Sequence, residues 1–364
     1  MSLEARRSGD AVVRVHLLTW DYAVLAVQAG HQPAVFVPRS AVGLEAFLDR
    51  VEAGAEDRWL HRVTTRRPAP VLRRVPRRER SAGAPAVGIE HEYTVLEDGT
   101  PIHFGRLIDE LALPGLRADP VDPKAHRCEW GGVVTADGIE AEVATPPIPL
   151  GVGAIDRVVD SAAAGRAFLE AHLGTGRSLV GYSTHLNVTI PMRGDLRIAR
   201  RYVETFAPAL VLLLDRTDSP GLLVRPRPGR LELCGEFADG EPLRVAATFA
   251  VASTLAVVAG GRSLRSLRLR AEVEPSRQRF GHHLAPTAFG EDLYLGGRSA
   301  RLRRASSGTV LAGDHLVRCW ALARPLAVER LGIGAAAAVD AVVESEVPLP
   351  APAPIVDPVA GSRA

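Results

Sequence analysis

Residues 88–95 read GIEHEYTV. Glu90 and Glu92 stand two apart in a β-branched and aromatic run. A strand there puts both carboxylates on one face and His91 on the other. Like charges on one face repel, and glutamate is depleted in strands. Either water solvates that face or a cation is shared across it. The same spacing recurs as Glu140 and Glu142 in GIEAEVATPP. His185 in STHLNV and Glu232 in RLELCG add an imidazole and a further carboxylate on β-prone runs. Hard divalent cations such as Mg2+ and Mn2+ take oxygen ligands with an occasional imidazole. A single pair also suits an edge strand that blocks aggregation. The series favours ligands.

Each residue has a plainer role to set beside that one. Glu140 and Glu142 follow an Asp-Gly turn and suit an exposed hairpin. His185 on an apolar strand suits a satisfied core histidine. Glu232 could pair with Arg230, although strand neighbours two apart are poorly placed for a bidentate bridge. Cys234 suits a small core residue. Of the adjacent His282 and His283, a strand sends one to each face.

The elements that must position these groups follow from pattern. Two apolar β-prone runs, AVVRVHLL and QPAVFVP, precede a helical spacing in SAVGLEAFLDRVEAG. Residues 64–86 are rich in Pro, Arg and Ala and read as a linker. VGIEHEYTVL is a strand closed by the turn EDGT. IHFGRLIDEL reads as a short helix, and CEWGGVVTADGIEAEVATPP as strand, turn, strand. IDRVVDSAAAGRAFLEAHL is an amphipathic helix, and LVGYSTHLNVTIP a strand. DLRIARRYVETFAPALVLLLD is a long helix with a break marked by Pro208. GRLELCGEFADG is a strand and turn. VAATFAVASTLAVVAGG is short of the ~20 apolar residues of a spanning helix and reads as a buried one. RPLAVERLGIGAAAAVDAVVES is a terminal helix or pair. The Pro/Ala stretch from 347 reads as a disordered tail.

Composition narrows the function. The chain has 364 residues, 46% of them hydrophobic, 24% charged, and a net charge of +2. Bulk electrostatics therefore name no partner. The basic run in 64–86 lacks interleaved aromatics, so nucleic-acid binding is not expected. Lys124 is the only lysine, which leaves one candidate for a Schiff base or amine nucleophile. Three scattered cysteines, with no CxxC, form no disulfide framework. The N-terminal residues lack a signal core. These features give a cytoplasmic expectation with no membrane partner. No G-x-x-x-x-G-K-[ST] occurs, and GVGAIDR lacks the dinucleotide fingerprint.

VGIEHEYTVL, IEAEVATPPI, GYSTHLNVTIP and GRLELCGEFADGEPLRVAATFAVAS occur in that order over residues 87–260. Together they resemble the metal-binding strands of the glutamine synthetase superfamily, in particular carboxylate–amine ligases of the glutamate–cysteine ligase type. The resemblance implies an α+β fold, a curved antiparallel sheet with outer helices. It implies a catalytic domain over 86–346, which leaves the small α/β segment and linker read from pattern over 1–80 and the Pro/Ala tail over 347–364. It also implies ATP as co-substrate with Mg2+ or Mn2+.

Residue by residue, Glu90, His185 and Glu232 would hold the metal nearer the nucleotide phosphates. Glu92, with Glu140 or Glu142, would hold the metal nearer the acyl acceptor. Arg230 would contact the transferred phosphate. Arg277 and Arg279, then Arg298 and Arg301, are further phosphate candidates, although a basic surface suits the first pair. Two positions depart from the family pattern. Asn187 replaces a histidine and can orient a substrate carboxylate, and Cys234 replaces an arginine. The substrate implied is a small amino acid, glutamyl compound or peptide, and a homo-oligomer stays open. A phosphotransferase on the same scaffold and a ligase-like protein that binds without turnover are the alternatives.

Overall fold

The computed structural model describes residues 2–6, 12–17, 24–29, 35–38, 85–114, 116–117, 124–189, 196–214, 221–227, 229–276 and 281–345, with Leu349. Contacts divide the chain into two units, Met1–Ser81 and Ala82–Ala364. In the first, β1 (Ser2–Arg6), β2 (Val12–Leu17), β3 (Val24–Ala29) and β4 (Val35–Pro38) form an antiparallel sheet in chain order. The two expected runs are β2 and β4. The reading missed β3, whose VLAVQA is the same kind of apolar run, and β1, whose polar SLEAR carries little apolar signal. The expected helix over SAVGLEAFLDRVEAG, the linker up to residue 84 and the tail, Leu349 apart, lie outside the described residues.

The second unit is α+β. Its strands open with β5 (Ala86–Glu97), β6 (Thr100–Ile102), β7 (Leu116–Arg117), β8 (His126–Arg127), β9 (Val133–Asp137), β10 (Glu140–Ala144) and β11 (Ile148–Pro149). They continue with β12 (Arg177–Thr189), β13 (Leu222–Arg227), β14 (Arg230–Glu236), β15 (Glu274–Ser276) and β16 (Gly281–Leu284). All pair antiparallel in one sheet of order β15-β16-β13-β14-β12-β5-β10-β9-β8-β7, with β6 and β11 also on β5. Asp98 (φ 48°) and Gly99 (φ 79°) make the tight turn from β5 into β6. Two positive φ values in succession suit a primed turn, which matches the twist of the strands it joins.

Alternation sets the two faces of β5. Val87, Ile89, Tyr93 and Val95 are buried in the apolar layer, while Glu90 and Glu92 point the other way. His91 goes with the apolar side. Its Nδ1 is 3.1 Å from the Tyr93 hydroxyl, and its ring centroid is 4.8 Å from that of Phe237. Burial holds the His91 imidazole down at about 3, so it stays neutral there.

Helices cover the apolar face. α1 (Ala154–His172), α2 (Leu196–Thr205), α3 (Ala207–Leu214) and α4 (Gly240–Ala259) lie against its strands, and α5 (Ala312–Leu331) and α6 (Ile333–Glu344) pack on α4. The long helix expected around Pro208 is two helices. The break falls at Phe206, because proline lacks an amide hydrogen and crowds the preceding turn. α4 is apolar on nearly all sides, which makes it a central core helix. It packs against α1, α2, α3, α5 and α6. Phe249 on α4 lies between Phe206 and Trp320, with ring centroids 6.2 Å from each. The terminal helices are a pair joined at Gly332, and Asp340 ties them by accepting from Trp320 and Arg324 of α5.

His315 on α5 is buried, with Nε2 2.6 Å from the Thr205 carbonyl. Burial lowers its pKa to about 4, against the pull of that carbonyl. The folded state therefore binds its proton less readily than the unfolded chain. The stability this gives is full above about pH 6.5 and is lost as pH falls toward 4. We expect His315 to account for roughly 3 kcal/mol of acid destabilisation across that window. Urea titrations of His315→Gln from pH 7 to pH 4 should show a correspondingly flatter profile, and an unchanged profile would refute the assignment.

Candidate functional site

The face opposite the helices gathers the polar residues of five adjacent strands. Register decides which residues meet. Glu142 on β10 stands across from Glu92 on β5, and Glu90 stands across from His185 on β12. His185 in turn faces Cys234 on β14, and Asn187 faces Glu232. On β9, Asp137 stands across from Glu140 and Thr135 from Glu142.

One irregularity makes this face possible. On β12, Gly181 pairs with Tyr93 and Ser183 with Glu92, so Tyr182 is an extra residue at a β-bulge. Before the bulge, odd-numbered Leu179 and Gly181 lie on the apolar side. After it, odd-numbered Ser183, His185 and Asn187 lie on the polar side, with Leu186 and Val188 in the core. Without the extra residue His185 would point into the helices. Gly181 also has a local reason to be glycine, because a Cβ there would lie 2.2 Å from the Phe237 ring. Gly181→Ala is expected to cost about 1–3 kcal/mol through overpacking, measurable as a lower urea midpoint.

His185 is the hub. It is 6% exposed, with Nδ1 3.4 Å from Glu90 and 3.6 Å from Glu232, and Nε2 3.6 Å from Glu92 and 3.3 Å from Ser183 Oγ. Burial opposes a charged imidazolium, but Cys234, Glu90 and Glu92 outweigh it and raise the pKa well above the usual histidine range. Ser183 Oγ donates to Glu92 at 2.5 Å. Burial raises the Glu92 pKa despite His185 and that hydroxyl. Glu142 is raised further, by burial first and then by the charge of Glu90. These carboxylates are crowded in a way that a cation would relieve.

Glu232 is held differently. Arg225 Nη2 donates to its Oε1 at 2.5 Å, and Arg227 Nε donates to its Oε2. Burial would raise the acid, but the two guanidinium groups hold it well below the usual range. Arg230 does not pair with Glu232. Its Nη2 lies 3.7 Å from Glu90 instead. The Asn187 side chain is 8% exposed, and neither its Oδ1 nor its Nδ2 has a hydrogen-bond partner among the described residues. Buried amides normally find partners, so these two atoms stand ready for a bound group.

Glu90, Glu92, Glu142, His185, Glu232, Arg230 and Asn187 therefore share one sheet face. Glu140 lies on the same side of β10 but at the hairpin end, outside the ligand groups, so Glu142 is the member that enters the cluster. Arg277 and Arg279 lie outside the described residues. Three expectations change. Cys234 is not a core filler, because its Sγ lies on the polar face, 3.7 Å from Glu232. Arg298 is no phosphate contact, since it donates to the carbonyls of Val342 and Val343 at the end of α6. Lys124 is taken up elsewhere, donating to the Gly105 carbonyl.

Asp137, Arg225 and Arg227 were missed. Asp137 was hidden in a turn signal. RPR in β13 carries no ligand pattern, and only pairing with β14 brings its arginines to Glu232.

Carboxylate oxygens of Glu92, Asp137 and Glu142 lie within 4.8 Å of one another, as do ligand atoms of His185, Glu232 and Cys234. The first set fits an oxygen-seeking divalent ion. No family model and no curated protein matches the chain. Among solved structures, that of the complex between the prokaryotic ubiquitin-like protein Pup and its ligase PafA is similar at 13% identity and a TM-score of 0.40. The likeness covers 71% of this chain and 62% of that one, so the chain spans less than two thirds of the length of PafA's.

Proposed function

We propose that the chain is an ATP-dependent carboxylate–amine ligase whose site is the polar face of the sheet. The observation that supports this best is register. Four neighbouring strands bring Glu90, Glu92, Glu142, His185 and Glu232 together, which are ligand types the sequence resemblance implies. In this reading the sheet curls around the phosphates of ATP, and residues 86–346 are the catalytic domain. Bound Mg2+ or Mn2+ would neutralise phosphate charge.

The substrate carboxylate attacks the γ-phosphorus, the bond to ADP breaks, and an acyl phosphate forms. The amine then attacks the acyl carbon and phosphate leaves, with the amine proton passing to solvent or a site base. Arg230, which lines this face beside Glu90, stabilises the transferred phosphoryl oxygens. Glu92 and Glu142 hold the acceptor side. Asn187, with two unpartnered amide atoms, orients the substrate carboxylate. The substrate is an amino acid, a glutamyl compound or a peptide.

One observation favours a protein that binds without turnover: Glu232 is already neutralised by two arginines. Purified protein with Mg2+, ATP and an amino-acid panel separates the readings. ADP, phosphate and an amide in equal amounts support the ligase. A phosphorylated product without amide would indicate a phosphotransferase, and nucleotide binding without ADP formation a binding protein. Either outcome overturns the proposal.

A further inference from the structure

The ligand atoms on the polar face fall into two groups of unlike chemistry. Glu92, Asp137 and Glu142 offer only carboxylate oxygens. His185, Glu232 and Cys234 offer a nitrogen, an oxygen and a sulfur, and all three side chains are buried. We propose that the second group is a site for a thiophilic transition ion of the Zn2+ class, separate from an Mg2+-type site at the first, and that Cys234 makes the difference. The inference rests on reading this face as a metal centre, and its test separates the two.

The placement of Cys234 carries the argument. Its strand neighbours Leu231 and Leu233 fill the apolar layer, where a cysteine acting as a small hydrophobe would belong. Cys234 instead faces His185 directly and reaches Glu232. The other two cysteines, Cys128 and Cys319, lie in the apolar clusters.

His185 is oriented for the task. Ser183 and Glu92 lie at Nε2, which suits a proton there, while Nδ1 faces Glu90 at 3.4 Å and Glu232 at 3.6 Å, where a bound cation would take the place of a proton. A metal-bound histidine commonly has its second nitrogen satisfied in this way. Glu232 remains available because a carboxylate has about four lone-pair sites, more than its two arginines occupy. Zinc takes sulfur, nitrogen and oxygen in a tetrahedron, whereas Mg2+ wants oxygen in an octahedron. Thiolate ligands select the softer ion. A fourth position would be left for water or substrate.

Cobalt(II) reports the site without reference to activity. Titrated into the full-length, metal-free protein, it should give a near-ultraviolet thiolate-to-cobalt band that saturates at one equivalent. The band should vanish in Cys234→Ser and Cys234→Ala, persist in Cys319→Ser, and be displaced by Zn2+ but not by excess Mg2+. Circular dichroism confirms that each variant is folded. Calorimetry should show Zn2+ binding weakened more than about tenfold by Cys234→Ser, since loss of even an outer partner costs that much. Mg2+ binding should be unchanged by Cys234→Ser and weakened by Glu142→Gln.

Absence of the band, or its survival in both Cys234 variants, overturns the proposal. So does an equal loss of Mg2+ and Zn2+ in Cys234→Ser, which would mean one shared site. A cobalt band without any Mg2+ binding supports the transition-ion site and counts against the ligase reading.

Discussion

Glu232→Ala is expected to lower the free energy of unfolding by about 3–5 kcal/mol, the cost of breaking a buried ion pair from one side. The side chain is 1% exposed, and Arg225 and Arg227, which hold its two oxygens, are 16% and 10% exposed. Removing the carboxylate strands two guanidinium groups where water cannot replace it. A folded domain is stable by only about 5–15 kcal/mol, so the variant should sit near the edge of folding at 37 °C. Glu232→Gln keeps the shape and one acceptor oxygen and should fall between the variant and the parent. Urea unfolding at pH 7 measures the effect as a shift in midpoint with little change in slope. A loss below about 1 kcal/mol would mean that the arginines find other partners and that Glu232 is not their anchor.

Glu142→Gln should act in the opposite sense on stability and far more strongly on activity. Burial and Glu90 already raise the pKa of Glu142 well above the carboxylate range, so its charge is a burden on the metal-free fold. The isosteric amide removes that charge, and the metal-free variant should be more stable by about 1 kcal/mol. In the proposed ligase reaction the rate should fall by about 10²–10⁴, the kinetic equivalent of the several kcal/mol a bound ion contributes. Coupled ADP release measures the rate, and urea unfolding measures the stability. Activity retained within tenfold would remove Glu142 from the site. A stability loss of the size expected for Glu232→Ala would show that the crowded carboxylates are structural partners. The contrast tests one idea, that in the metal-free fold Glu232 is anchored by two guanidinium groups while Glu142 is crowded by other carboxylates.

Much of this was legible without coordinates. Alternation in GIEHEYTV placed Glu90 and Glu92 on one face and His91 on the other, and the strand obeys it. The Asp-Gly signals at 98–99 and 137–138 marked the two hairpin turns, because few residues tolerate positive φ. The apolar run of α4 marked a central helix. These are properties of neighbours in the chain, where side-chain period and local backbone preference are enough.

What depends on pairing between distant segments was not legible. Strand parity along LVGYSTHLNVTIP cannot be counted through a bulge, yet the extra residue at Tyr182 is what turns His185 toward the carboxylates. Nothing in a single run distinguishes Glu142 from Glu140, whereas the register across β5 gives Glu142 alone a place opposite Glu92. The arginines of RPR reach Glu232 only because β13 pairs with β14, and Cys234 becomes a ligand candidate only because it faces His185. By itself the sequence determined which residues could do chemistry and, on strands without a bulge, which of them share a side, since alternation is local. The tertiary structure decided which of them meet, because register is set by packing of the whole sheet against its helices.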